Sequence, residues 1–208
     1  DHARAPLLGR LRGKTFGVVG LGRIGIAAAL RAKAFGMRVL AYDPLVSRGT
    51  EIAAGVDRCD RLEDLLAESD VVSLHCPLTD ESHRMINAER LAMMQPHALL
   101  INTARGAIID IDALLDALRN GTIAGAGIDV LPTEPPAPDD AIALAYANGK
   151  DPIVGERLFL TPHAAWSSPE SVADARRLSV ETAMLYLRDG TLRNLVNAPA
   201  QNRERSVA

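Results

Sequence analysis

The 208-residue chain has little that would mark it for nucleic acid or a membrane. Lys and Arg number 23 against 26 Asp and Glu, a formal net charge of -3. No excess of positive charge offers a footprint for a phosphate backbone or an anionic lipid surface. No apolar run approaches the ~20 residues that a membrane-spanning helix requires. The opening DHARAPLLGRLRGK lacks the apolar core of a secretion signal. It also lacks an initiating Met, which reads as a processed chain or a fragment. The only cysteines are Cys59 and Cys76. They form no CxxC pair, no His stands at zinc-ligand spacing from either, and no metal site is indicated. Both read as reduced thiols of a cytoplasmic protein, small apolar residues rather than nucleophiles. No internal repeat is present.

What the chain has is an alternation of strand and helix. TFGVVG, RVLAYD, VVSLHC, ALLINTA, IAGAGIDV and RLFLTP are short, continuously apolar runs. Such runs suit strands buried on both faces of a parallel sheet. Between them lie helical patterns. In DIDALLDALRNG, Ile111, Leu114, Leu115 and Leu118 share one face, Asp110 is placed to cap the start, and Gly121 to end it. An alanine-rich helix is expected from Ile24 to Phe35, closing at Gly36, and a last helix from Ser168-Pro169 to about Arg188. The order implies an α/β fold, a doubly wound parallel sheet with helices on both faces. Residues 132–156 break the rhythm: proline-rich and acidic at first, they read as a long loop with one helical turn.

Ligands of such a sheet bind beyond the carboxyl ends of its strands, so chemistry is sought there. Gly20-Leu21-Gly22-Arg23-Ile24-Gly25 follows the first strand and opens the first helix. In a GxGxxG turn the glycines permit the bend, the approach of a pyrophosphate and close helix packing, while helix N–H groups face the phosphates. Asp43, at the end of the next strand, is placed to accept hydrogen bonds from a ribose and to repel a 2′-phosphate, which favours NAD. Its plainer reading is a turn residue in Asp-Pro. Arg48 nearby reads as a solvated cation.

Three further strand ends carry polar residues that apolar strands do not need: Arg105, Asp129 with Glu134 beyond it, and His163. Singly, these read as a surface cation, a solvated acid and a loop histidine. Together they suit reduction of a 2-keto acid, in which His delivers a proton, a carboxylate orients it, and Arg grips the substrate carboxylate. His75 also ends a strand and reads as structural.

GLGRIG, Asp43-Pro44, HCPLT, NTARG, GIDV with Glu134-Pro135, and TPHAAW resemble the D-isomer-specific 2-hydroxyacid dehydrogenases over about residues 11–197. The resemblance implies a Rossmann domain that binds NAD. Arg105 would bind substrate, and Glu134 and His163 would form the acid/base pair. It also implies cofactor contacts from Gly20, Leu21, Gly22, Arg23, Ile24, Gly25, Asp43, Cys76, Pro77, Thr103, Ala104, Arg105, Asp129, His163, Ala164, Ala165 and Trp166. HAAWSS resembles the C-terminal-binding-protein branch, in which the Trp lines the substrate pocket. Trp166, the only Trp, is therefore a candidate substrate residue, or a packing residue on the plainer reading. The chain departs from commoner members in its longer loop between Glu134 and His163.

In this family the nucleotide domain is inserted into a substrate domain. Residues 1–13 are accordingly expected to be a remnant of the preceding linker, 14–190 the NAD-binding domain, and 191–208 a return segment with a disordered tail. The expected activity is hydride transfer between NAD(H) and a small D-2-hydroxy or 2-keto acid, with the fragment alone weakly active or inactive. The alternative is an NAD(H)-responsive, corepressor-like protein-binding module. The resemblance also implies a homodimer through the nucleotide domain, with the loop after Glu134 a candidate contact; no element reads as binding nucleic acid.

Overall fold

Strand β1 (Thr15–Val19) lies inside the sheet, third of its seven strands, and the chain builds outward from it first to one side and then to the other. A computed structural model describes residues 9–147, 151–193 and 195. The expected N-terminal remnant and C-terminal tail lie largely outside these residues. After β1 come α1 (Arg23–Ala34), β2 (Arg38–Tyr42), α2 (Thr50–Ala54), β3 (Asp57–Arg58), α3 (Leu62–Glu68) and β4 (Val71–Leu74). Then follow α4 (Ala88–Met93), β5 (Leu99–Asn102), α5 (Ile111–Asn120), β6 (Gly125–Ile128), α6 (Ala141–Ala147), α7 (Pro152–Arg157), β7 (Leu158–Leu160) and α8 (Pro169–Asp189). The seven strands lie in the order β3-β2-β1-β4-β5-β6-β7, every pair parallel. The order reverses between β1 and β4, so the connections leaving their ends diverge and open a crevice there.

The continuous apolar runs serve two cores. Successive residues of β1 and β2 feed opposite faces: Val18, Val39 and Ala41 join one cluster, Val19 and Leu40 the other. The first cluster rests against α1, whose buried face is Gly25, Ala29 and Ala32, small residues that let helix and strand approach closely. The second takes in Leu65, Leu91, Leu114 and Leu118, all fully buried. Asp110 caps α5, its carboxylate accepting from the Ala113 N–H, and Gly121 ends it in the left-handed conformation.

Two differences from expectation have physical causes. The sheet gains β3, whose two residues are polar and leave no apolar run to read. Residues 132–156 hold two helices rather than one turn, because Ile142, Ala145 and Val154 find places in the second core.

The chain divides into two compact units, Asp1–Ala165 and Trp166–Ala208. In the second, Ser168 and Ser171 cap α8 reciprocally, each side-chain oxygen accepting from the other's N–H at 3.0 Å, with Gly190 at its end. No helix among the described residues is long and apolar enough to cross a membrane.

At the bottom of the sheet, opposite the crevice, Asp70 fastens the starts of β1 and β4. Its carboxylate accepts from the Thr15 N–H and Lys14 Nζ, both at 2.7 Å, and contacts His97 Nε2 at 2.8 Å. Burial pushes its pKa up, but these three partners outweigh burial and hold it at about 2, against an ordinary value of 3.8. A depressed carboxyl stabilises the fold above its unfolded pKa, and that stabilisation is lost as pH falls from about 4 toward 2. Asp70→Asn should therefore lower unfolding free energy by about 2 kcal/mol at pH 7. The difference from the unmutated chain should vanish near pH 2, as read by denaturant titration at both pH values.

Candidate active site

The turn after β1 is shaped by contacts that leave no room for side chains. Gly20 has φ +96°, and a Cβ there would come within 2.6 Å of the Cys76 nitrogen. At Gly25 a Cβ would overlap the Gly20 carbonyl oxygen. Gly22 is different: a Cβ there would meet nothing within 4 Å. It caps the start of α1, with Arg23 and Ile24 exposed in the first turn. The backbone is therefore bare where the helix N-terminus faces the crevice, as a cradle for an anionic pyrophosphate requires.

Asp43 stands across the crevice mouth from this turn. Oδ2 accepts from the Leu21 N–H at 2.8 Å, and Oδ1 accepts from Leu45 and Val46 at 2.9 and 3.2 Å. A carboxylate has about four lone-pair sites, so one is left for an incoming hydroxyl. Gly20, Asp43, Leu45, Cys76, Pro77 and Met85 are among the residues lining a cavity of about 580 Å³, mostly apolar but with Glu81 and Arg90 also in its wall and the Asp43 carboxylate at one side. An adenosine, with a flat apolar base and a ribose diol, suits that lining. Burial pushes the Cys76 thiol pKa up, which keeps it neutral there. His75, next to it, contacts Ser73 Oγ through Nε2 at 2.9 Å, and burial pushes its pKa down. That environment agrees with a structural histidine. Arg48 is exposed and pairs with Asp60 at 2.9 Å.

The ends of β5, β6 and β7 meet in a second group. Asn102, wholly buried at the end of β5, folds the next loop over itself: Nδ2 donates to the Arg105 carbonyl and Oδ1 accepts from the Ala104 N–H, both at 2.9 Å. Thr103 and Arg105 are exposed beyond it. Gly106 then passes the backbone of Leu131 and Pro132 with no space for a Cβ, which locks the Arg105 loop to the Glu134 loop. Arg105 turns one guanidinium nitrogen onto the Ala104 carbonyl at 2.6 Å and has no carboxylate partner among the described residues.

Asp129 is buried and fully engaged. Its carboxylate accepts from the Thr161 hydroxyl at 2.5 Å, the Ala164 N–H at 2.8 Å and the Ala165 N–H at 3.0 Å, while its carbonyl accepts from the His163 N–H at 2.8 Å. Burial pushes its pKa up, yet the Thr161, Ala165 and Ala164 donors outweigh that and lower it. The clasp holds His163 at φ +51°, a left-handed conformation that costs a non-glycine residue about 1–3 kcal/mol. The imidazole is thereby carried to Glu134: Nδ1 lies 2.6 Å from Oε2, and Oε1 accepts from the Leu131 N–H at 2.7 Å. The Leu131 N–H first, and then His163, lower the Glu134 pKa, so the acid is ionised at neutral pH.

Most sequence-predicted residues thus fall into two groups along one rim: Gly20–Gly25 with Asp43, Cys76 and Pro77, and Thr103–Arg105 with Asp129, Glu134 and His163–Ala165. Trp166 is the first residue of the second unit and is exposed. Sequence reasoning passed over Asn102, Gly106 and Thr161, which position others. A polar last residue on an apolar strand was the available sign for Asn102.

Such a fold and rim define a dinucleotide-binding domain. Residues 2–165 match the family described as D-isomer specific 2-hydroxyacid dehydrogenase, NAD binding domain. The chain belongs to that family, and its cofactor is NAD. It is 44% identical over 185 residues to a glyoxylate reductase of Korarchaeum cryptofilum, covering 89% of this chain and 52% of the relative. It is 38% identical over 189 residues to a D-3-phosphoglycerate dehydrogenase of Methanocaldococcus jannaschii, covering 91% and 34%. The chain thus spans about half the length of the first relative and a third of the second. A D-isomer specific 2-hydroxyacid dehydrogenase from Lactobacillus delbrueckii ssp. bulgaricus, in its NAD complexed form, superposes with a TM-score of 0.78 at 32% identity, over 92% of this chain and 58% of that one.

Asp129→Ala should deprive the Thr161 hydroxyl and the Ala164 and Ala165 N–H groups of their acceptor. The expected loss is about 2–4 kcal/mol of stability, with hydrogen exchange speeding up first at Ala164 and Ala165. Unchanged exchange there would count against the clasp.

Proposed function

We propose that this chain supplies both the cofactor site and the acid/base pair of an NAD-dependent D-2-hydroxyacid dehydrogenase. The observation that carries this is the His163–Glu134 contact at 2.6 Å on the same strand-end rim as the glycine turn. In the direction of reduction, bound NADH supplies a hydride to the carbonyl carbon of a 2-keto acid. Glu134 takes Nδ1 as its partner, which leaves His163 Nε2 as the nitrogen that gives a proton to the carbonyl oxygen. Arg105, with its donors not spent on a carboxylate, grips the substrate carboxylate. The helix start at Gly22 cradles the pyrophosphate, Asp43 accepts from the adenosine ribose, and the cavity beside it takes the adenine. Cys76, Pro77, Thr103, Ala104, Ala164 and Ala165 line the path of the dinucleotide. Asp129 acts in this reading chiefly by holding the His163 segment.

The substrate class is a small 2-hydroxy or 2-keto acid, in keeping with relatives named for glyoxylate and 3-phosphoglycerate. The corepressor-like reading is less favoured, because a module without turnover has no need of an ionised acid held against an imidazole. The domain organisation that goes with the enzyme reading is a nucleotide domain across most of the chain, flanked by segments leading to a substrate domain.

The test is NADH titration and keto-acid-dependent NADH oxidation by a protein carrying this chain. NADH should bind, and His163→Ala should cut turnover by about 10²–10⁴-fold with binding retained. Glu134→Gln should lower turnover, since the ring loses the carboxylate that orients it. Near-normal turnover by the His163 variant would sink the assignment. The same reading includes a homodimer through this domain, involving the segment after Glu134. Sedimentation equilibrium should give twice the monomer mass, and a monomer throughout the micromolar range would refute it.

A further inference from the structure

The segment between β2 and α2, residues 43–49, has no regular structure, yet it carries the carboxylate that faces the ribose site. It is held from two sides. From above, Asp43 reaches Leu21 and the segment's own Leu45 and Val46 N–H groups. From below, a side chain on edge strand β3 reaches up: Arg58 Nη2 donates to the Asp43 carbonyl at 3.1 Å and Nη1 to the Val46 carbonyl at 3.2 Å. The Arg58 side chain is only 19% exposed. Its Nε is buried without a hydrogen-bond partner, with Asp60 3.5 Å away. Glu51 stands 3.7 Å from Nη1, and its own carboxylate accepts from the Gly49 N–H at 3.0 Å, closing the far end of the segment.

A buried guanidinium beside a ribose site invites the reading that it awaits a phosphate. The bonds argue otherwise: its outward nitrogens are committed to two backbone carbonyls of one short segment. Those carbonyls belong to the first and last residues of the bend that Asp43 Oδ1 caps. A planar fork can span both; the single ammonium of a lysine cannot hold both in the same geometry.

We propose that Arg58 is a positioning residue for cofactor choice, fixing the 43–46 bend so that Asp43 stays where it accepts from a ribose 2′-hydroxyl and repels a 2′-phosphate. The inference rests on the reading of Asp43 as the ribose acceptor. With Arg58 removed the bend loosens, the carboxylate leaves its place, and NADH loses an acceptor while NADPH loses a repulsion. A residue that merely supported the fold would weaken both cofactors alike.

The experiment is calorimetric titration of the chain with NADH and with NADPH, for the unmutated protein, Arg58→Gln, Arg58→Lys, Asp43→Asn and the Arg58→Gln/Asp43→Asn double variant. Arg58→Gln should weaken NADH binding about tenfold, the scale of a lost charge-assisted hydrogen bond, with NADPH changed by less than about threefold. Arg58→Lys should fall between. In the Asp43→Asn background, Arg58→Gln should leave the NADH/NADPH ratio unmoved, because its effect passes through the missing carboxylate. If Asp43→Asn narrows the ratio and Arg58→Gln does not, the role given to Arg58 is wrong while that of Asp43 stands. If the unmutated chain shows no preference, or Asp43→Asn leaves the preference intact, the reading of Asp43 fails and this one with it. Should Arg58→Gln not fold, Arg58→Lys decides alone: a full preference for NADH overturns the proposal.

Discussion

The arrangement at the rim depends on how closely α1 is pressed against the turn that precedes it. Gly25 lies against the Gly20 carbonyl with no volume for a methyl group, and Gly20 lies as tightly against the backbone of Cys76. These two contacts set the direction in which α1 leaves the sheet and the height at which the 75–77 segment crosses it. The helix start is then left open at Gly22, Leu21 can turn its N–H to Asp43, and the crevice between β1 and β4 acquires its floor. A side chain at either tight glycine would displace backbone rather than a flexible tip, and packed interiors yield little to such displacement.

Three carboxylates along the rim share one device and differ in what it leaves over. Each is fastened by backbone N–H groups, which keep an acid in place without a neighbouring cation. Asp129 holds two N–H groups and the Thr161 hydroxyl and is buried, so it acts as a fastener. Asp43 has three donors and one lone-pair site remaining, at the edge of a cavity. Glu134 gives one oxygen to Leu131 and the other to His163. Asp129 and Asp43 carry three donors each, so burial separates the anchor from the acceptor, and the single backbone donor on Glu134 leaves its other oxygen for the partner in proton transfer.

Much of this was legible beforehand, for definite reasons. β1, β2, β4, β5, β6 and β7 are buried strands of a parallel sheet and show as apolar runs. Asp110 and Ser168 cap helices because their short polar side chains precede helical patterns. Arg105, Asp129, Glu134 and His163 stand out because apolar strands do not otherwise end in such residues. The rest was hidden where meaning depends on distant partners. β3 is two polar residues and exists only because β2 lies alongside it. α6 and α7 are short and poor in pattern, and packing of Ile142 and Val154 makes them helices. Arg58, Asn102 and Gly106 act on backbone atoms elsewhere in the chain, and a one-dimensional pattern carries no record of carbonyls.

Placing β1 inside the sheet has a consequence for synthesis. A chain emerging N-terminus first presents this strand before the other strands of its sheet, and domains generally begin to fold as they emerge. Its partner β2 follows closely, but the other edge waits until β4 has left the ribosome, with the whole of α1 through α3 in between. During that interval β1 offers an unpaired row of donors and acceptors, a template to which a foreign strand can add. The finished sheet has the reverse property: its two outermost strands, β3 and β7, are two and three residues long. The sheet is thus open to strand addition at β1 while it is being made and offers only short edges once complete.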